Sequence, residues 1–512
     1  MAAAFPGCVL LAALLGPRLT FGGDEHCYLL LARALVQGKG YVELYTPGHP
    51  PHTIAPPGYP LMLAPMVLLS SGEPSFLWKI PSCFFALLMF PLSLALFEEL
   101  GTLRVRVFCA LLVALSPLTL SRANEVMTEM SYTAVSLATL VLWRSALKRG
   151  GLWRWVGVGA LAAAAFYIRT IGIVLIAALF LAIPFQKVCR KKALVACLLA
   201  ILVSAPWFLR VSQASRETER PTYFSQLLTS RDMEGSRGGV ALRHFAARVV
   251  YNARLYFGLY LADPILPWHT GSNDARMKAL GVWPVVRVLD WAAVLLIFAG
   301  FAAEVRRRVR PDHIYTLATI AVLIAWRSSG TRYLYPLFPL WIRYAAGAFL
   351  TVRDRLPFGF SGKKAVMVTV AVLLSVVCLS RSFFTLRWFR SPDFPSPQTV
   401  STIDAMQWIK AQVPDDAVIL CRKPVITFFY TGRYGVRHPD TSDRQRVLRF
   451  VERARASYVL ADEWWLDPEH PQYDSILETL APRLKEVARF GSPPVILYRL
   501  LETTDSSGAQ RG

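Results

Sequence analysis

The sequence predicts a polytopic α-helical membrane domain followed by a small α/β domain. Three observations predict it. Of the 512 residues, 54% are hydrophobic, and apolar runs of membrane-span length recur between residues 5 and 383. The linkers between those runs alternate between basic and merely polar. From about residue 395 the long runs stop, and short strand-like and helix-like stretches alternate.

The formal net charge is +22. Before the C-terminal region most Lys and Arg sit in short linkers, a topological pattern, so no nucleic-acid partner is expected. The eight Cys are scattered, mostly in apolar runs, with no Cys-x-x-Cys, so neither a disulfide framework nor a zinc site is expected.

In chain order, residues 5–21 are apolar without a preceding basic stretch, and they read as an uncleaved first span. Gly22-Gly23-Asp24-Glu25-His26-Cys27-Tyr28 follows, with an apolar stripe from Leu29 to Leu35. Residues 38–60 form a loop rich in Pro, Gly and aromatics, and Tyr59 to Ser70 is too short to span, so it is assigned to the interface. Spans are expected at 76–96, 107–121 and 130–143, as a tight pair around Arg169, and at 193–210. A polar loop at 211–285 holds an amphipathic piece near His244 to Leu261. Spans at 286–303, 314–326, 334–351 and 365–383 bring the total to eleven.

The basic linkers 99–106, 144–154, 186–192, 304–313 and 352–364 then share one side, the cytoplasmic one. The other side receives Asp24, the 38–60 loop, the 121–129 turn, the 211–285 loop, the 327–333 turn and the C-terminal region. The expected domains are 1–390 in the membrane, an extracytoplasmic α/β domain at 391–505 and a disordered tail at 506–512. Within the α/β domain, 402–412, 444–456 and 473–490 read as helices, and 417–420, 457–460 and 495–498 as strands. No Gly-rich phosphate loop opens any of these helices.

Ionisable residues at span ends are expensive and tend to mark function, although a single interfacial acid is more often a solvated cap. Here Asp24, Glu25, Glu125 and Glu129 fall on one predicted side, and Glu125 and Glu129 have the i,i+4 spacing of one helix face. Arg169 lies between two spans and Arg332 opens another; a guanidinium fork suits phosphate, the alternative being snorkelling to the interface. His26, His49 and His52 lie in or near the first loop. A divalent metal is a candidate cofactor, with His26 and His52 as its candidate ligands.

These residues carry a resemblance. Gly23-Asp24-Glu25-His26-Cys27-Tyr28-Leu29, with Ala32-Arg33-Ala34-Leu35 and Gly38-Lys39-Gly40-Tyr41, resembles the first-loop signature of bacterial GT-C glycosyltransferases. The protein O-mannosyltransferases and the aminoarabinose transferase of lipid A are of this kind. Pro56-Pro57-Gly58-Tyr59-Pro60-Leu61, Trp78-Lys79-Ile80-Pro81-Ser82, Val126-Met127-Thr128-Glu129 and Arg332-Tyr333-Leu334-Tyr335-Pro336 resemble later family segments, in order over residues 15 to 345.

The resemblance implies a GT-C fold and a bacterial inner-membrane enzyme. It would transfer a sugar from a polyprenyl-phosphate donor to a glycan, lipid or protein acceptor on the extracytoplasmic face. Asp24 would be the general base, with inversion at the anomeric carbon. Arg169 and Arg332, with Lys79 behind them, would hold the lipid phosphate that leaves. Glu129 would orient acceptor or donor sugar, with Glu125 as its substitute, Glu25 would hydrogen-bond within the loop, and Tyr59 would line the substrate site. The chain departs from the aminoarabinose transferase at Ile54 and Ala55, where that enzyme has an acid and a lysine before the Pro-Pro pair.

Two other readings compete. An envelope polysaccharide polymerase or ligase would centre on the 211–285 loop with Arg216, Arg220, Arg231, Arg237 and Arg243. A transporter would place charges near mid-membrane, whereas here they cluster at span ends.

Overall fold

The computed structural model describes residues 19, 24–72, 75–186, 188–218, 242–268, 271–326, 328–390, 397–439, 443–462, 471–492 and 494–501. Apart from Leu19, the first predicted span lies outside them, as do Arg220, Arg231, Arg237 and the 506–512 tail. The chain divides into two compact units. One is Met1–Arg18, Thr53–Leu227 and Ala241–Arg390; the other is Leu19–His52, Leu228–Val240 and Ser391–Gly512. Residues 19–52 thus group with the C-terminal part, an association across hundreds of residues that no local periodicity encodes.

The first unit is helical. Among the described residues, Phe76–Leu96, Arg190–Ser215, Trp283–Arg307 and Phe360–Phe389 are long and apolar enough to cross a membrane. Shorter apolar helices cover Gly58–Leu69, Leu152–Ile168, Gly172–Phe185 and Pro311–Ala325. Further helices run over Thr128–Arg149 and Phe338–Arg355.

Two expectations change here. The span at 107–121 is two helices, Leu103–Ala114 and Pro117–Ala123, bent by 48°. Ser116 causes the break: its hydroxyl caps the second helix, accepting from the Thr119 N–H at 3.1 Å, with Pro117 following at the first turn. The helix opening at Arg190 runs on to Thr218, so the 211–285 loop starts later than its polarity suggested. The amphipathic piece is a helix, Leu242–Leu255, closed by a π turn at Tyr256–Tyr260.

Four of the five basic linkers meet at one end of the helices through ion pairs and a hydrogen bond. Lys148 Nζ stands 2.6 Å from Glu98, Arg310 Nη1 2.6 Å from Glu99, and Arg144 Nη2 2.9 Å from Asp312. Arg308 donates to Gln186 Oε1 at 2.9 Å. Arg343 then reaches from its helix to both Asp312 (2.8 Å) and Glu304 (2.5 Å), and Arg310 also pairs with Glu304. Four linkers that the alternation of charge assigned to one side are therefore tied to each other. Small residues let the helices behind them close up: a Cβ at Gly300 would collide with the Tyr344 carbonyl oxygen.

The second unit carries a five-stranded sheet of β1 (Val418–Cys421), β2 (Tyr434–Arg437), β3 (Tyr458–Ala461), β4 (Leu484–Phe490) and β5 (Val495–Leu500). Its order is β2-β1-β3-β5-β4. β2, β1 and β3 run parallel, and β5 and β4 continue antiparallel. Because side chains alternate along a strand, Ile419 and Cys421 join Met406 and Ile409 of helix Pro397–Gln412 on one face. Leu420 joins Val447, Val451 and Leu480 on the other. The helix expected at 473–490 is a helix over Pro471–Leu480 and then strand β4. Pro482 ends helical continuation, and the partner that makes 484–490 a strand is β5, invisible to local pattern.

Residues 24–52 lie on this domain. Helix Asp24–Val36 packs on helix Pro424–Thr431, with the Arg33 guanidinium 5.7 Å from the centre of the Phe429 ring. The Tyr45 carbonyl accepts from the Gly435 N–H at 3.0 Å, which covers part of edge strand β2.

Candidate active site

In the first unit, helix Thr128–Arg149 carries Arg144 near one end and Glu129 in its first turn at the other. The two are about 22 Å apart along the axis, at 1.5 Å per residue. A helix N-terminus favours a carboxylate, and the Glu129 side chain is 1% exposed. Arg169 caps helix Leu152–Ile168 with extended backbone, and its carbonyl accepts from the Gly172 N–H at 2.8 Å to make the turn into the next helix. Glycine is required there: a Cβ at Gly172 would stand 2.5 Å from the Phe166 backbone. The turn aims Arg169 Nη1 at Glu129 Oε1, 3.0 Å away. Glu129 Oε2 is buried and has no hydrogen-bond partner among the described residues.

Arg332 reaches the same place by way of Tyr333. The Arg332 guanidinium carbon is 4.8 Å from the centre of the Tyr333 ring, and Nη2 donates to the Tyr333 hydroxyl at 2.9 Å. The Arg169 guanidinium carbon is 5.6 Å from the centre of that ring. Glu129, Arg169 and Arg332 are thus brought together, from three separated stretches of sequence.

Glu125 does not share a helix face with Glu129. The helix starts only at Thr128, after an extended Met127, and Glu125 lies in the turn before it. Arg122 Nη1 holds its carboxylate at 2.6 Å, and the Ser121 hydroxyl donates to it at 3.0 Å. Burial pushes the Glu125 carboxyl up, against the pull of Arg122. Buried Lys79 donates to Asn124 Oδ1 at 2.9 Å in the same turn. The Tyr59 hydroxyl is 3.2 Å from Ser82 Oγ, which donates to the Glu125 carbonyl at 2.7 Å, so Tyr59 braces this turn. Arg122 and Asn124 join the candidate residues only in the structure; the i,i+3 spacing of Arg122 and Glu125 is the sequence signal for the first.

In the second unit, Asp24 is exposed at the start of its helix, while Glu25 and His26 are buried. The His26 ring stands edge-on to Phe429 at 4.9 Å, with Nε2 3.3 Å from the Tyr430 hydroxyl. Burial, and secondarily Lys423, lowers the His26 pKa to about 3. His52 Nδ1 is 3.0 Å from Glu43 Oε1, both buried. Among the described residues the group of three ligands close enough for a metal is Glu304, Asp312 and His313. Its carboxylates already face Arg144, Arg310 and Arg343, which opposes a cation. Among the described residues, His26 and His52 are not members of that group.

No protein-family model matches the chain, and no curated protein matches it. Solved structures do. ArnT from Cupriavidus metallidurans, bound to undecaprenyl phosphate, is similar over 97% of this chain and 97% of its own, at 15% identity and a TM-score of 0.59. The oligosaccharyltransferase AglB from Archaeoglobus fulgidus, in complex with an inhibitory peptide and a dolichol-phosphate, is similar over 97% of this chain and 74% of its own. There the identity is 14% and the TM-score 0.58. The chain shares the fold of these two structures.

Proposed function

We propose that this chain is an inverting glycosyltransferase that moves a hexosyl or pentosyl group from a polyprenyl-phosphate donor to a glycan, lipid or protein acceptor. The observation that carries the reading is Glu129. One of its buried oxygens is paired with Arg169, the other is unpartnered among the described residues, and Arg332 stands beside it on the Tyr333 ring. A buried carboxylate oxygen left without a partner is rare in a folded protein and is suited to a substrate hydroxyl. Two neighbouring guanidiniums are suited to a phosphate. The fold shared with ArnT and AglB, whose structures hold lipid phosphates, supports the same assignment.

In the reaction, the acceptor oxygen forms its bond to the anomeric carbon as the bond from that carbon to the phosphate oxygen breaks. The acceptor proton passes to the Asp24 carboxylate, and the lipid phosphate leaves as an anion. Arg169 and Arg332, with Lys79 behind them, stabilise the charge that develops on the leaving group. Glu129 orients a sugar or acceptor hydroxyl. Glu125, engaged with Arg122, holds the turn. The membrane arrangement proposed with this reaction is eleven spans in the bacterial inner membrane, with the ion-paired linkers cytoplasmic and the α/β domain extracytoplasmic.

The experiment is release of polyprenyl phosphate from a radiolabelled lipid-linked sugar by membranes holding wild-type or variant protein at equal levels. Asp24→Asn and Glu129→Gln are expected to lower transfer by at least a hundredfold. Full transfer by Asp24→Asn removes the proposed base. Loss on changing Arg243 to Ala, with Asp24→Asn active, moves the chemistry to the 211–285 loop.

A further inference from the structure

We propose that Tyr333 is a positioning residue for the anion subsite: its ring is the common platform on which the Arg169 and Arg332 guanidiniums are held. The inference rests on the glycosyltransferase reading above and specifies how its phosphate site is built. Arg169 and Arg332 are long side chains with many rotamers, neither fully buried, and their like charges repel. A subsite for phosphate needs both forks fixed at a set separation before the lipid arrives, because ordering them on binding would cost affinity. Glu129 fixes one side of Arg169 at 3.0 Å. The Tyr333 ring adds a hold common to both, with guanidinium carbons 5.6 Å and 4.8 Å from its centre, both within cation–π range. The negative face of one ring offsets part of the repulsion between two cations, which an aliphatic side chain of the same size cannot do.

The phenol hydroxyl plays a lesser part. It accepts from Arg332 Nη2 at 2.9 Å, but Arg332 is also the preceding residue and already lies over the ring. The ring, and specifically its electron density, is therefore the feature that matters.

The test measures binding of undecaprenyl phosphate to the purified full-length protein. Tyr333→Phe is expected to bind within about threefold of wild type. Tyr333→Leu is expected to bind about tenfold more weakly, equivalent to about 1.4 kcal/mol. Because Tyr333→Leu also changes packing, the deciding series places phenylalanine with zero, one, three and five ring fluorines at position 333. These rings keep their shape while the negative face is drained, so a merely structural role would leave affinity flat. Stepwise weakening along the series supports the proposal, and a flat series overturns it. Arg169→Ala and Arg332→Ala separate the two levels. If both bind the lipid phosphate as wild type does, the phosphate site itself is misplaced. If both lose binding while the fluorinated series is flat, only the role of Tyr333 fails.

Discussion

Replacing Asp312 by Asn removes one charge from the most buried ion-pair network of the first unit. Asp312 Oδ2 is 2.8 Å from Arg343 Nη1 and 2.9 Å from Arg144 Nη2, and the side chains of Asp312 and Arg343 are each 2% exposed. Neither guanidinium can turn to water without breaking other contacts: Arg144 Nη1 donates to the Leu96 carbonyl at 2.8 Å, and Arg343 Nη2 is held by Glu304 at 2.5 Å. The variant therefore keeps two buried cations and loses the carboxylate between them. Breaking a buried pair in this way costs about 3–5 kcal/mol, most of it the desolvation of the charge left behind. By contrast, the Lys148–Glu98 pair, with both side chains more than half exposed, should contribute under about 1 kcal/mol. The assay is denaturant unfolding of the purified full-length protein, with Asp312→Asn, Glu98→Gln and the double change Asp312→Asn with Arg343→Met. Asp312→Asn should lose several times more stability than Glu98→Gln, and the double change should recover part of the loss, since it removes one stranded cation. A loss under about 1 kcal/mol for Asp312→Asn, or no recovery in the double variant, would refute the view that this network ties the linkers together.

Gly300→Ala forces a methyl into the Tyr344 backbone and should destabilise by about 1–3 kcal/mol in the same unfolding assay; a neutral result would mean that the two helices separate freely. His26 binds its proton in the folded state only near pH 3, whereas an unfolded histidine binds it near 6.5. The unfolded state thus holds the extra proton between those values, so stability should fall as pH drops from 6.5 towards 3 and be unaffected by His26 above that range. The melting temperature of His26→Phe should accordingly depend less on pH below 6.5 than that of wild type, and parallel curves would exclude His26 as the cause. Finally, a topology reporter fused after Ser391 should face away from the cytoplasm; a cytoplasmic signal would overturn the proposed eleven-span arrangement.

The helices of the first unit were largely legible because burial in lipid demands long apolar runs, and those runs stand in the sequence at 76–96, 283–307 and 360–389. That basic linkers share one side was an expectation of the sequence too, since the distribution of Lys and Arg is a property of composition. Breaks such as that at Ser116 depend on one capping hydroxyl, a signal that hydropathy averages away. The stretch 484–490 reads as helix by itself because its periodicity is ambiguous, and its identity as a strand comes from pairing with β5.

The first-loop stretch around Asp24 shows the same division. Its residue types announced a boundary acid followed by an apolar helix, and the helix Asp24–Val36 is there. That Glu25 and His26 are buried against a domain four hundred residues onward could not be read locally, because burial is a property of what folds back onto a segment. At the candidate active site, the sequence by itself supplied the residue types and the side of the membrane expected for Glu129, Arg169 and Arg332. The tertiary structure alone decided that Arg169 meets Glu129, that the Tyr333 ring lies within about 6 Å of both guanidiniums and that Glu125 turns away to Arg122. Side-chain partnership depends on angles at turns and caps, which spacing along a chain does not specify.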